Sequence, residues 1–133
     1  MLSVTTAQAE DAALPGTGTL LTKQGFEALV KHVEAAIQKN QMGLVAQASA
    51  SRGAAGRGIE IPRNAVRMLQ ASVPAGVEAP LRLYLTKNAD GTASLSYRTP
   101  SAVFAPHKSP RLDEMAKEPD TIFERIARDA AGG

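Results

Sequence analysis

Apolar and polar positions along this chain repeat with two different periods, and the periods predict its elements. Over residues 26–37, Phe26, Leu29, Val30, Val33 and Ile37 fall in one narrow stripe at helical spacing. Glu27, Lys31, Glu34 and Gln38 take the opposite face, and Glu27 and Lys31 form an i,i+4 pair of favourable order. An amphipathic helix ending near residues 40–43 follows. Over residues 81–98 the period falls to two. Leu81, Leu83 and Leu85 alternate with Arg82, Tyr84 and Thr86, and Ala93, Leu95 and Tyr97 alternate with Ser94, Ser96 and Arg98. Asn88-Ala89-Asp90-Gly91 between them is a turn, so the unit reads as a hairpin with one buried face. That leucine face needs a covering layer, and the helix stripe supplies one.

The remaining segments are less regular. Residues 17–23 suit a short strand, set apart from the helix by Gly25, and Gly43–Ser51 reads as a strand of small side chains. Residues 51–58 (SRGAAGRG) read as a glycine-rich turn flanked by arginine. Residues 64–73 stay open between two readings. Pro62 could occupy the first turn of a helix with Val66, Leu69 and Val73 on one face, or the run could be a strand. Past Pro100, Ser109 and Pro110 form an N-cap and first-turn pair, with Asp113 and Glu114 complementing the dipole of a short helix that Pro119 ends. Asp120 then caps a second helix with Ile122, Phe123 and Ile126 inward, stopped by Gly132-Gly133. No internal repeat is evident.

Composition changes the picture at one point. The chain has 133 residues, a single domain's length, and its hydrophobic share of 44% includes 24 alanines. Leu, Ile, Val and Phe together number 28, which approaches the compositional edge of disorder, while a net charge of +2 argues against it. So thin a core suits a two-layer domain that gains further burial by dimerising. The absence of cysteine excludes thiolate catalysis, iron–sulfur clusters, zinc fingers and a disulfide scaffold, and leaves the compartment open. No apolar run reaches the roughly 18 residues that membrane insertion requires. Fifteen basic against 13 acidic residues is too small a surplus for a nucleic-acid signature.

The order of these elements resembles the bacterial and archaeal domain-of-unknown-function family 302 over about residues 25–107. The resembling pieces are the helix at 26–37, Gly58-Ile59-Glu60-Ile61-Pro62, Val73-Pro74, Pro80-Leu81-Arg82-Leu83, and Asp90-Gly91 followed by Ser96-Tyr97-Arg98-Thr99-Pro100. The resemblance implies a strand at 65–71, a small two-layer α+β domain that often forms homodimers, and no established activity. This chain departs from the family in lacking its Asp-His pair near Ala48-Ser49-Ala50, in carrying Ser72-Val73 where Gly-Asn is usual, and in a shorter 74–80 connection. No role resting on the Asp-His pair carries over. The expected fold is thus an α+β two-layer sandwich. A small, mainly antiparallel sheet of about five strands is covered by the amphipathic helix, with C-terminal helices. Residues 1–16 form a tail, 17–107 the body and 108–133 a helical extension.

Candidate chemistry is sparse. The sharpest constellation is Arg52, Gly53, Gly56, Arg57 and Gly58, followed by Arg63 and Arg67. Glycine lets backbone N–H groups approach an oxyanion, and arginine grips carboxylate or phosphate bidentately. The bland alternative is a turn with solvated arginines on a strand edge. His32 and His107 stand apart in solvent-facing positions without metal-ligand spacing, so no metal or cofactor is expected. No nucleophile elbow surrounds any serine. Tyr84, between Arg82 and Arg98, makes a thin stacking platform for nucleic acid. Ala7-Gln8-Ala9 resembles an export cleavage site without the basic and apolar stretches of a signal, leaving a periplasmic and a cytoplasmic location both open. The expected function is a non-catalytic binding or interaction module, homodimeric through its sheet or helix face. The alternative is a small-anion carrier or enzyme using residues 52–67.

Overall fold

The computed structural model describes residues 14–51, 54–60 and 62–132. Ala7-Gln8-Ala9 lies outside them. Five strands, β1 (Thr17–Gly25), β2 (Gly43–Ser51), β3 (Ala54–Glu60), β4 (Leu81–Lys87) and β5 (Thr92–Arg98), form one antiparallel sheet in the order β1-β5-β4-β3-β2. Helix α1 (Phe26–Lys39) follows β1 and α2 (Pro62–Ala71) follows β3. A 3₁₀ turn (Pro74–Glu78) leads into β4, and the short α3 (Pro100–Phe104) and long α4 (Pro110–Gly132) close the chain.

Period-two alternation places one row of each strand under the helices. Leu20, Leu95, Leu85 and Ala55 are successive cross-strand partners, and Leu83 faces Arg57 in the next inward row. Leu29, Val33 and Ile37 of α1 and Phe123, Ile126 and Ala130 of α4 bury against this face. The β4–β5 turn is fixed by Gly91, whose φ of +87° favours glycine, and by Asp90, which accepts from the Thr92 N–H at 3.0 Å. The Thr92 hydroxyl, which also donates to Asp90 Oδ1, and then the Thr92 N–H hold the Asp90 carboxyl below the usual carboxylate range. Among the described residues no helix layer covers the opposite face of the sheet, and Leu21 and Tyr84 on it are 80% and 51% exposed.

The structure corrects three expectations. Residues 62–71 are helical, so the strand that the family resemblance places at 65–71 does not form. The strand paired between β2 and β4 comes earlier, at Ala54–Glu60, and α2 instead buries Met68 in a second apolar cluster with Phe104, Leu112 and Met115. The supposed glycine-rich turn is therefore mostly β3. Ala55, Arg57 and Ile59 point toward the helices while Gly56 and Gly58 occupy the open side, and the glycines hid that alternation. Lastly, Pro119 interrupts nothing: α4 runs through it as one helix. Leu112, Met115, Ala116, Pro119, Phe123, Ile126, Ala127 and Ala130 form one stripe in phase across the proline. Burial of that stripe outweighs the roughly 3 kcal/mol an interior proline costs. Ser109 does cap α4, accepting from the Leu112 N–H at 3.3 Å.

Candidate functional site

The arginines and glycines of residues 52–67 disperse in three dimensions. Arg52 and Gly53 lie outside the described residues. Gly56 and Gly58 sit within β3 on its open side, and Arg63 belongs to the first turn of α2. Arg57 takes the opposite direction, into the helix-covered layer. It is 6% exposed, and its Nε and Nη2 both lie 3.0 Å from Glu34 Oε1 of α1, while Nη1 donates to the Gly56 carbonyl at 2.9 Å. β3 is an interior strand, so Arg57 does not guard a sheet edge either. Arg67 lies on the exposed side of α2, 3.4 Å from Glu118 of α4.

A cleft of about 380 Å³ opens elsewhere, at one end of the uncovered sheet face. Its floor follows from strand register. Tyr84 of β4 pairs with Ser96 of β5 on one side and Gly56 of β3 on the other, and Ser96 Oγ is 2.9 Å from Thr19 Oγ1 of β1. Two residues further along, Arg82 pairs with Gly58, and Arg98 with Thr17. Val77 and Glu78 of the 3₁₀ turn, Pro80, and Val103 of α3 form the walls. Arg98 Nη2 donates to the Ala102 carbonyl at 3.2 Å, and its buried Nε has no hydrogen-bond partner among the described residues. Glu78 is engaged by His107, whose Nε2 is 3.1 Å from Oε1.

The histidines are more enclosed than their sequence positions suggest. His107 has a side chain only 16% exposed, and His32 is half-buried with Nδ1 hydrogen-bonded to Gln24 Oε1. No group of three or more metal-ligating side chains occurs among the described residues. Ser101 donates its backbone N–H to Asp120 Oδ1 at 2.8 Å and its hydroxyl to Oδ2, which is a helix cap for α3. Tyr97 packs its ring 5.8 Å from that of Phe123, and burial, then the negative charges of Glu124 and Asp120, push its phenol above the usual range.

The alternation in the sequence places Arg82, Tyr84 and Arg98 as neighbours on one face but does not show the walls. Residues 74–80 gave only a short connection to read. The two prolines bracketing Val77 and Glu78 were the available sign of a fixed turn.

No helix among the described residues is long and apolar enough to cross a membrane. Comparison with solved structures gives a crystal structure of an uncharacterized conserved DUF302 protein from Bacillus stearothermophilus. It is similar with a TM-score of 0.79 at 16% identity, over 88% of this chain and 99% of that one. At that identity the likeness is one of fold. No curated protein matches the chain. The model of the family described as domain of unknown function DUF302 matches residues 19–130, from β1 through nearly all of α4, and the chain belongs to that family.

Proposed function

We propose that this DUF302 domain is a non-catalytic binding module that works as a homodimer, with two copies joined along β2. The carrying observation is the sheet order, which among the described residues leaves β2 bonded to β3 alone. Its nine residues, GLVAQASAS, contain no charge and no proline, the two usual devices against edge-to-edge pairing. An edge of that kind is a template for a second strand, and a two-fold axis through it would extend the antiparallel sheet across both copies. β1, at the other edge, is less suited. It carries Lys23, its register shifts between Leu21 and Gly25, and Gln24 Nε2 is tied to the Ala130 and Ala131 carbonyls of α4 at 2.9 and 3.0 Å. The thin apolar composition and the dimers that the family resemblance implies support the same reading. An anion carrier or enzyme built on residues 52–67 has less support, because Arg57 is committed to Glu34.

The test is solution mass by light scattering and sedimentation. The wild-type chain is expected at twice 13.9 kDa. Ala48→Lys, which puts a charge on this edge strand in both copies, should shift it to monomer, and Leu21→Lys on β1 should not. A wild-type monomer, or a dimer indifferent to Ala48→Lys, would refute the β2 interface.

A further inference from the structure

We infer that the cleft on the open sheet face is a binding site for a small organic anion, a carboxylate or phosphate ester carried on a flat apolar body. Three observations converge on it. The first is an arrangement of charge that folding alone does not favour. Tyr84 pairs with Ser96, and carrying that antiparallel register two residues on sets Arg82 across from Arg98. Like charges facing each other on adjacent strands repel, unless an anion lies between them. Among the described residues Glu78 is the one acidic side chain that lines the cleft, and His107 engages it. Neither arginine has a carboxylate partner among the described residues.

The second observation is spare donor capacity. Arg82 makes no hydrogen bond or ion pair among the described residues and is exposed. Arg98 spends one N–H on the Ala102 carbonyl and keeps a buried Nε without a partner. An unpaired buried donor costs free energy, and a guanidinium held by one of its nitrogens is already oriented to present the others. One guanidinium held in this way, with the uncommitted Arg82 across from it, matches the oxygens of a carboxylate or phosphate.

The third is the shape and lining of the space. The arginine row is flanked by Gly58, which adds no side chain above the sheet, and by the Thr17 hydroxyl. Beyond it, Tyr84 offers an exposed ring facing the apolar walls of Val77, Pro80 and Val103. Val77 is 80% exposed, as expected of a wall whose other half a ligand would supply. About 380 Å³ sits at the small end of ligand pockets, so the occupant is a metabolite-sized molecule. The anion would lie between the arginines, with its flat body along Tyr84. The site is independent of the proposed dimer: β3 separates β4 from β2, so pairing along β2 leaves both clefts open.

The experiment is a nitrogen-15 NMR titration of the full chain with four probes: phenyl phosphate, benzoate, inorganic phosphate and benzylamine. Phenyl phosphate and benzoate should saturably move the Arg98 Nε–H signal and the amides of residues 77–84 and 96–98. Arg82→Gln, at an exposed position, should weaken them about tenfold, the loss of one charge-assisted contact. Tyr84→Ala should weaken phenyl phosphate several-fold and leave inorganic phosphate unchanged. Benzylamine matching phenyl phosphate, affinity indifferent to Arg82→Gln, or no saturable shift with either aromatic anion would overturn the assignment. Inorganic phosphate binding as tightly as phenyl phosphate would overturn its organic part. None of these outcomes bears on solution mass, so site and dimer fail separately.

Discussion

At the scale of single residues, Arg57 shows how the same side chain changes meaning with the conformation of its neighbours. Read as part of a turn, it is a free guanidinium beside glycines. Placed in β3, the two-residue period sends it with Ala55 and Ile59 beneath α1, where Glu34 meets it. The sequence contained both partners, yet Glu34 appeared to belong to the solvated side of the helix. It lies on the flank of the apolar stripe, half-buried, where a long side chain from the sheet can reach it. The pairing makes a prediction with a definite order. Glu34→Ala strands a buried guanidinium and should cost about 2–3 kcal/mol, somewhat under the range for fully buried pairs because the Glu34 side chain is 36% exposed. Arg57→Met removes the charge while keeping apolar volume next to Leu83, and should cost about 1 kcal/mol or less. Urea midpoints at constant slope measure both. Equal losses, or a harmless Glu34→Ala, would show that the pair does not carry this part of the structure.

At the scale of elements, what could be read from the sequence depended on whether a segment carries its own period. α1 and the β4–β5 hairpin do, with apolar residues at every expected position, and both form where the pattern places them. β3 (AAGRGIE) interleaves two glycines with alanine, arginine, isoleucine and glutamate, so its period has little contrast. α2 is ten residues long, and what decides it is tertiary: β3 already fills the place between β2 and β4. The cleft was half legible for the same reason, since its floor lies on a patterned hairpin and its walls on a turn and a short helix. Asp120 does not open a second helix as its sequence position suggests. It lies inside α4 and accepts from Ser101, nineteen positions back, in the first turn of α3, adding to the Thr99 N-cap of that helix. Asp120→Ala should lose about 1–2 kcal/mol, a cap's ordinary worth, while Asp120→Asn retains an acceptor for the Ser101 N–H and should lose less. Thermal melts give the size, and hydrogen exchange at the Ser101 amide gives the location. Unchanged protection there in Asp120→Ala would rule out the capping role.

At the scale of the whole molecule, α4 ties together two apolar clusters that a chain with few large apolar residues could not stabilise separately. Its first half packs Leu112, Met115 and Ala116 with Met68 of α2, Ala75 of the 3₁₀ turn and Phe104 of α3. Its second half packs Phe123, Ile126, Ala127 and Ala130 with α1 and the sheet. The two halves are one rigid rod because the stripe keeps its phase through Pro119. The clusters should therefore melt together, although Leu112 and Phe123 share no cluster. Leu112→Ala should cost about 2–5 kcal/mol and Phe123→Ala about 3–5 kcal/mol, each through lost burial and a residual cavity. Each variant should still unfold in one transition that coincides when followed by far-ultraviolet circular dichroism and, in a Tyr84→Phe background that leaves Tyr97 as the fluorophore, by tyrosine fluorescence, since Tyr97 packs against Phe123 in the second half of α4. Leu112→Ala is the decisive member. If it produced an early partial transition that left the Tyr97 signal native, Pro119 would be a hinge between two separately melting units. A single shifted transition means that the wall of the cleft, which rests on the second cluster, is as stable as the sheet that forms its floor.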